Sequence, residues 1–204
     1  VNILEFIFEI FFYLDNIVAN NYLFSLAVFS LVVYFYATFS IPGIPIIWLF
    51  SGYAFGIYIG YLLSAIFTSI GSLNLFILSK TIFHTIFKNK FYKYIKKVDK
   101  KIKNDSYEIL IMFRLSPINI PFFFQNIVLS FLKISIYKYI ITTFIGLSPS
   151  ILFIVIIGSA ISRIDDLRSF DFNELLSKEF IFLYLIIFCI ILLIIIVKNK
   201  IKKH

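Results

Sequence analysis

Charge is what this sequence most lacks. From residue 16 to residue 79 no side chain is Asp, Glu, Lys or Arg, and a water-exposed domain of that length needs ionised surface. A single cysteine, Cys189, sits inside an apolar run, which excludes a disulfide framework and a cysteine metal site. Neither histidine has a second ligand at a metal spacing, so His84 is given no role and no metal is expected. Arginine occurs three times, at Arg114, Arg163 and Arg168, and the net charge of +8 gathers in one lysine run and the C-terminal tail. That distribution suits an anionic lipid surface and not nucleic acid. No cationic n-region with a small-residue cleavage site opens the chain, so a secretory signal peptide is not expected and the first apolar helix is expected to direct insertion. No Ser, His and acid set and no phosphate-loop glycine pattern is found, so the expectation is a protein that is not an enzyme and binds no cofactor.

What is present in excess is apolar surface. The 204 residues are 61% hydrophobic and 20% aromatic, with a mean hydropathy of +0.97. This composition implies an all-α polytopic membrane protein. Residues 2–16 read as an interfacial helix too short to span. Residues 22–39 give about 18 apolar residues, roughly 27 Å of helix, enough for a first crossing. Pro42, Gly43 and Pro45 then interrupt the chain, and Gly52, Gly56 and Gly60 recur every fourth residue, continued by Ser64, Thr68 and Ser72. One reading is a smooth ridge for close helix contact, with a homo-oligomer contact as one use of it. The other is a half-helix that folds back at the glycines, a hairpin followed by one crossing over the residues between Pro42 and Ser79.

The stretch 108–131, EILIMFRLSPINIPFFFQNIVLSF, is apolar enough for lipid yet contains Arg114, Pro117, Asn119, Pro121, Gln125 and Asn126. Each proline removes a donor and frees a carbonyl, which hydrocarbon cannot satisfy. A guanidinium at membrane depth costs roughly 2.5 to 3.5 kcal/mol on insertion scales. The stretch therefore reads as a hairpin broken at 116–121, against the alternative of a kinked spanning helix of about 24 residues. Charge placement favours the hairpin. Eight lysines lie in 88–103, Lys133 and Lys138 follow the hairpin, and five acids lie in 162–179. The lysines share the cytoplasmic side with the tail only if 108–131 does not cross. The lysine run itself reads as a solvated loop, or as an amphipathic helix on an anionic leaflet. With crossings at 139–161 and 180–197, the expected fold is about four transmembrane helices plus two opposed re-entrant hairpins, an inverted repeat with both termini cytoplasmic. The expected divisions are an interfacial helix at 1–21, a membrane domain at 22–161, and an acidic outer loop, last crossing and basic tail at 162–204.

Pro42-Gly43, Gly52, Phe55, Gly56, Gly60 and Gly71, followed by Arg114, Ser116-Pro117, Pro121-Phe122, Asn126, Tyr139, Gly146, Pro149 and Gly158, resemble the VTT domain of DedA-like, SNARE-associated membrane proteins over roughly residues 40–160. The resemblance implies two re-entrant hairpins meeting near mid-membrane. It also implies movement of phospholipids or polyprenyl phosphates between leaflets, and some members have been discussed as proton-coupled transporters. Many bacterial members carry a carboxylate after the first Pro-Gly, where this chain has Ile44 and Ile46; Lys80 stands where arginine is frequent, and Ser130 where glycine is expected.

Arg114, Asn119, Gln125, Asn126 and Lys80 are thus the candidate head-group residues. Pro42, Gly43, Pro45, Gly52, Gly56, Gly60, Pro117, Pro121, Gly146 and Pro149 are the candidates for breaks and packing. Arg114 has an alternative structural role, donating to the carbonyls that the prolines free. The partners expected are anionic membrane lipids, and the setting a bacterial inner membrane. A secondary transporter of a small solute and a non-transporting membrane-organising protein are the rival readings.

Overall fold

A computed structural model of the chain describes residues 10, 13–14, 16–102, 107–115, 122–132 and 134–161, with side chains placed outside 82–102. All the regular structure in these residues is helical. Helix α1 is Tyr22–Thr38, α2 is Ile44–Ile102, α3 is Tyr107–Leu115, α4 is Phe122–Ser130 and α5 is Ile136–Ile161. Two segments, Ile44–Thr81 and Ile136–Ile161, are long and apolar enough to cross a membrane. The acidic loop, last crossing and tail expected at 162–204, the break at 116–121, Lys133 and most of the interfacial helix expected at 2–16 lie outside the described residues.

The end of α1 is set by local hydrogen bonding. Ser40 takes a left-handed φ of 50°, its N–H bonds the carbonyl of Ala37, and the N–H of Ile41 reaches that of Tyr36. This is the Schellman stop, with serine where glycine is usual. Pro42 cannot continue a helix, Gly43 adopts φ +96°, and the Tyr36 hydroxyl closes the turn on the Pro42 carbonyl at 2.8 Å. Pro45 falls in the first turn of α2, where its missing N–H is harmless.

Within α2 one residue is not helical. Gly56 has φ 74° and ψ 179°, a region open essentially to glycine alone. The helix is therefore two limbs, residues 44–55 and 57–102, folded against each other. Ser51 meets Ser64, Trp48 meets Thr68, and a Cβ on Gly60 would lie 2.4 Å from the Ser51 carbonyl. The expected ridge of Gly52, Gly56, Gly60, Ser64, Thr68 and Ser72 is accordingly not one face. Gly56 is the turn, Gly52 packs on α5, and Gly60 packs on the short limb, so these close-contact positions are filled within the chain. The fold-back reading needs one change too: the limb after Gly56 is itself the long segment, not a hairpin arm preceding a further crossing. From 57 to 102 nothing interrupts the long limb, about 69 Å of helix at 1.5 Å per residue. The lysine run up to Ile102 continues that rod as helix.

α1 lies antiparallel to the short limb, with Tyr22 against Phe55 at one end and Tyr36 against Pro42 at the other. α3 and α4 pair in the same way. Leu110 and Leu129 share one core cluster, and Arg114 reaches Gln125 and Asn126. α5 runs antiparallel to the long limb, through Tyr61 to Ser148 and Tyr139 to Ser72. Each half is thus a helix pair followed by a long helix, and the two halves point in opposite directions. Gly71 and Gly146 each receive the end of the half's first helix, Ala37 in one and Arg114 in the other. Ser51 and Asn126, Ser64 and Tyr139, Thr68 and Thr143 correspond at the same separation of about 75 residues, the kind of internal symmetry that builds many membrane folds.

Where the halves meet, backbone touches backbone. A Cβ on Gly52 would fall 1.9 Å from the Val155 carbonyl oxygen, and one on Gly158 1.9 Å from that of Leu49. Only glycine permits this approach, which brings Cα–H groups to facing carbonyls.

Two glycines should therefore fail for different reasons. Gly56→Ala has no atom within 4 Å of the new carbon, so its expected destabilisation of about 1–3 kcal/mol is backbone strain alone. Gly52→Leu should do more damage by separating the short limb from α5. Thermal unfolding of both variants in one detergent tests this; a wild-type melting temperature for Gly56→Ala would refute the strain assignment.

Candidate functional site

The break expected after Leu115 places Arg114 at the last turn of α3, and Gly146 lets it lie flat on α5. A Cβ on Gly146 would sit 2.5 Å from the Arg114 Cβ. The side chain then points into the space between α4, α5 and the long limb of α2, where it is 4% exposed. Its Nη2 donates to Asn126 Oδ1 at 2.7 Å, to the Tyr139 hydroxyl at 2.8 Å and to Thr143 Oγ1 at 3.2 Å, and Nη1 donates to Gln125 Oε1 at 3.4 Å. The guanidinium also lies 5.4 Å from the Tyr139 ring centre and 5.9 Å from that of Phe122, within reach of cation–π attraction.

These partners are themselves fixed. Asn126 donates its Nδ2 to the Phe122 carbonyl at 2.8 Å, which turns Oδ1 toward the arginine. The Tyr139 proton is shared between Asn126 Oδ1 at 2.5 Å and the Ser72 carbonyl at 3.0 Å, and the ring stacks on Phe76 at 4.1 Å between centroids. Four helical segments thus converge on one cation, and the four hydrogen-bonding partners named for it are neutral. Its Nε, also buried, has no hydrogen-bond partner.

In the other half the corresponding positions are small and uncharged. Trp48 Nε1 donates to Thr68 Oγ1 at 3.1 Å, Ser64 Oγ to Ser51 Oγ at 2.9 Å, and Ser51 Oγ to the Trp48 carbonyl at 2.6 Å. Together with Ser72 and the buried Ser79, these residues make a polar column along one side of the long limb, closed above by the Tyr61 to Ser148 hydrogen bond at 2.9 Å.

Of the residues singled out in the sequence, Arg114, Gln125 and Asn126 are brought together. Asn119, Pro117 and Pro121 lie outside the described residues. Lys80 stands apart from them: its Nζ donates to the Ile134 carbonyl at 3.2 Å and lies 4.7 Å from the Phe76 ring centre, pinning the link between α4 and α5 to the long limb. Pro149 is buried inside α5. Tyr139, Thr143, Ser72, Trp48 and Thr68 were missed as site residues, although the serine and threonine spacing along the long limb carried the signal. Glu108, the first residue of the stretch 108–131, is buried at 8% exposure in the first turn of α3.

A double-mutant cycle checks the network. Tyr139→Phe strips a hydroxyl that serves Arg114, Asn126 and Ser72, and should destabilise by about 1–3 kcal/mol. Arg114→Met removes both the charge and its need for acceptors, so the double variant should lose less than the sum, with a coupling of about 0.5–3 kcal/mol. Additive melting shifts would dismantle the network as drawn.

Comparison with known proteins follows the same boundaries. The model of the VTT domain matches residues 41–160. A relative, "Transmembrane protein 41 homolog" of Dictyostelium discoideum, is 24% identical over 163 residues, 78% of this chain and 48% of that protein. The chain therefore spans about half the length of the curated relative it matches. No solved structure matches. The family match covers most of the described helices, including the arginine network and both glycine contacts, and on this basis the chain is an integral membrane protein that belongs to the VTT-domain family.

Proposed function

We propose that this protein moves lipids between leaflets, with the phosphate head group passing along the buried polar column while the tails remain in hydrocarbon. The observation that carries the reading is a buried cation held by neutral acceptors, with one donor, Arg114 Nε, unused among the described residues. A head group crosses a bilayer slowly because its hydration is lost, and fixed donors replace that hydration in the transition state. Arg114 is the residue suited to a phosphate, because its planar fork donates to two oxygens at once. Gln125 and Asn126 would exchange partners with the entering anion, and Ser72, Thr68 and Ser64 would continue the path. Lys80 attracts the head group toward the lower end, and Asn119 is assigned to the path on sequence grounds.

In the membrane arrangement we propose, α1 with the short limb, and α3 with α4, are the two re-entrant hairpins, entering from opposite sides as an inverted repeat. The long limb, α5 and the segment 180–197 cross fully. α1, the first expected crossing, is reassigned to the first hairpin because it is 17 residues long and is followed at once by the turn at Ser40 to Gly43, which puts its start on the face opposite the basic tail in place of the expected shared cytoplasmic side. The lysine-bearing end of α2 faces the cytoplasm under the positive-inside rule, and a bacterial inner membrane is the proposed setting. Anionic head groups are the proposed partners.

Reconstitution into vesicles with fluorescent phospholipid, or with polyprenyl phosphate, tests the reading. Wild-type protein should speed leaflet exchange, and Arg114→Lys, which keeps the charge and loses the fork, should slow it by about tenfold, an energy of about 1.4 kcal/mol. Exchange no faster than in protein-free vesicles would sink the proposal. Buried Glu108 favours a second reading, a proton-coupled solute transporter, since an acid inside a membrane domain is a functional candidate by default. Uptake that follows an imposed pH gradient and is lost in Glu108→Gln would select it.

A further inference from the structure

Away from the polar column, on the opposite side of the short limb, a cavity of about 290 Å³ lies between α1, the short limb and the described part of the chain before α1. Val28, Phe29 and Val32 line it from α1, Ile47 and Phe50 from the short limb. It is open on one side, where the lining residues Phe24, Val28 and Val32 are exposed. One polar side chain is in the wall. Ser25 is 8% exposed, and its buried hydroxyl has no hydrogen-bond partner among the described residues.

The geometry points to a binding site for one fatty-acyl chain of an ester-linked membrane lipid, with the ester group at Ser25. Size, depth and chemistry agree. A cavity of about 150 Å³ takes up a benzene, six carbons; this one is about twice as large and holds about twelve. Ser25 lies one turn below Tyr22 at the start of α1, and Val32 about 10 Å further along the helix axis. The tail thus runs down the cavity from a polar atom near the end of the helix, as an acyl chain runs from its ester at the membrane interface toward the bilayer centre. A buried hydroxyl without a partner is costly, and an ester carbonyl supplies the acceptor it lacks. An isoprenoid chain fills the same space but brings no carbonyl to that depth. The site is separate from the head-group path and stands whether or not that path conducts.

Native mass spectrometry of the full chain, extracted in mild detergent, tests the assignment. One ester lipid per chain should be retained. Val28→Trp, which fills the cavity, should lower the retained fraction tenfold or more, and Ser25→Ala severalfold. Leu78→Trp, on an exposed surface elsewhere, should retain the lipid. Should Val28→Trp lose its cooperative melt, Val32→Phe replaces it as the filling variant. Retention of detergent alone, an adventitious additive only, would overturn the inference, as would an isoprenoid in place of the ester lipid, or undiminished lipid in a folded filling variant. Vesicle assays on the same variants separate this result from the translocation reading, since neither Ser25 nor Val28 belongs to the polar column.

Discussion

One buried guanidinium among neutral hydrogen-bond acceptors governs the architecture. Arg114 is buried and held by the amides of the consecutive residues Gln125 and Asn126, a phenol and a threonine hydroxyl. A buried charge persists only when its donors are met and its acceptors are themselves held in place. Those acceptors come from α4 and α5, and the phenol is anchored in turn on the Ser72 carbonyl of the long limb. The second helix pair therefore cannot drift from the long helices without stranding the charge. The cation fixes the relative position of three chain segments that are far apart in sequence.

The other half reaches comparable closeness by removing bulk. Where Arg114 lies on Gly146, Ala37 lies on Gly71, and there is no cation to satisfy. Small hydroxyls and one indole complete the interface. In lipid, apolar side chains gain little by meeting one another, so association depends on close backbone approach and on interhelical hydrogen bonds. The Gly52 and Gly158 contact supplies the first and the Ser51, Ser64 and Thr68 cluster the second. The two halves share a plan, and the polar chemistry is concentrated in one of them.

Much of this was legible in residues 40–160, and the exceptions have physical causes. Pro42-Gly43 marks a turn unambiguously because proline and a positive-φ glycine leave no helical alternative. Arg114 with Gln125 and Asn126 stood out because polar side chains are expensive in an apolar run. The glycine series was ambiguous: a period of four suits both a helix ridge and a chain that turns at one of its members, and only the backbone of Gly56 decides. Tyr139 entered the family pattern without a role, because a tyrosine in a chain this rich in aromatics does not stand out as a polar group. Its role depends on Ser72, Asn126 and Arg114 arriving from three other segments. The orphan hydroxyl of Ser25 was illegible for the same reason, since a serine in an apolar helix normally bonds the carbonyl four residues back, as Ser30 does to Leu26.

The polar column as it stands is closed, and this bears on how a head group would enter it. The Tyr61 to Ser148 hydrogen bond and the Trp48 to Thr68 pair lie across the column. To pass, an anion must separate the long limb either from α5 or from the short limb. The first route breaks the Tyr139 anchor and exposes a cation to hydrocarbon. The second moves a segment bounded by Ser40 and Gly43 at one end and Gly56 at the other, all three at positive φ, and held to α5 by the glycine contacts and by the packing of Trp48, Leu49 and Tyr53. If lipid passes through this protein, the short limb is the element whose displacement leaves the hydrogen bonds of Arg114 and the Tyr139 anchor in place, and the arginine side of the column is the wall that stays still.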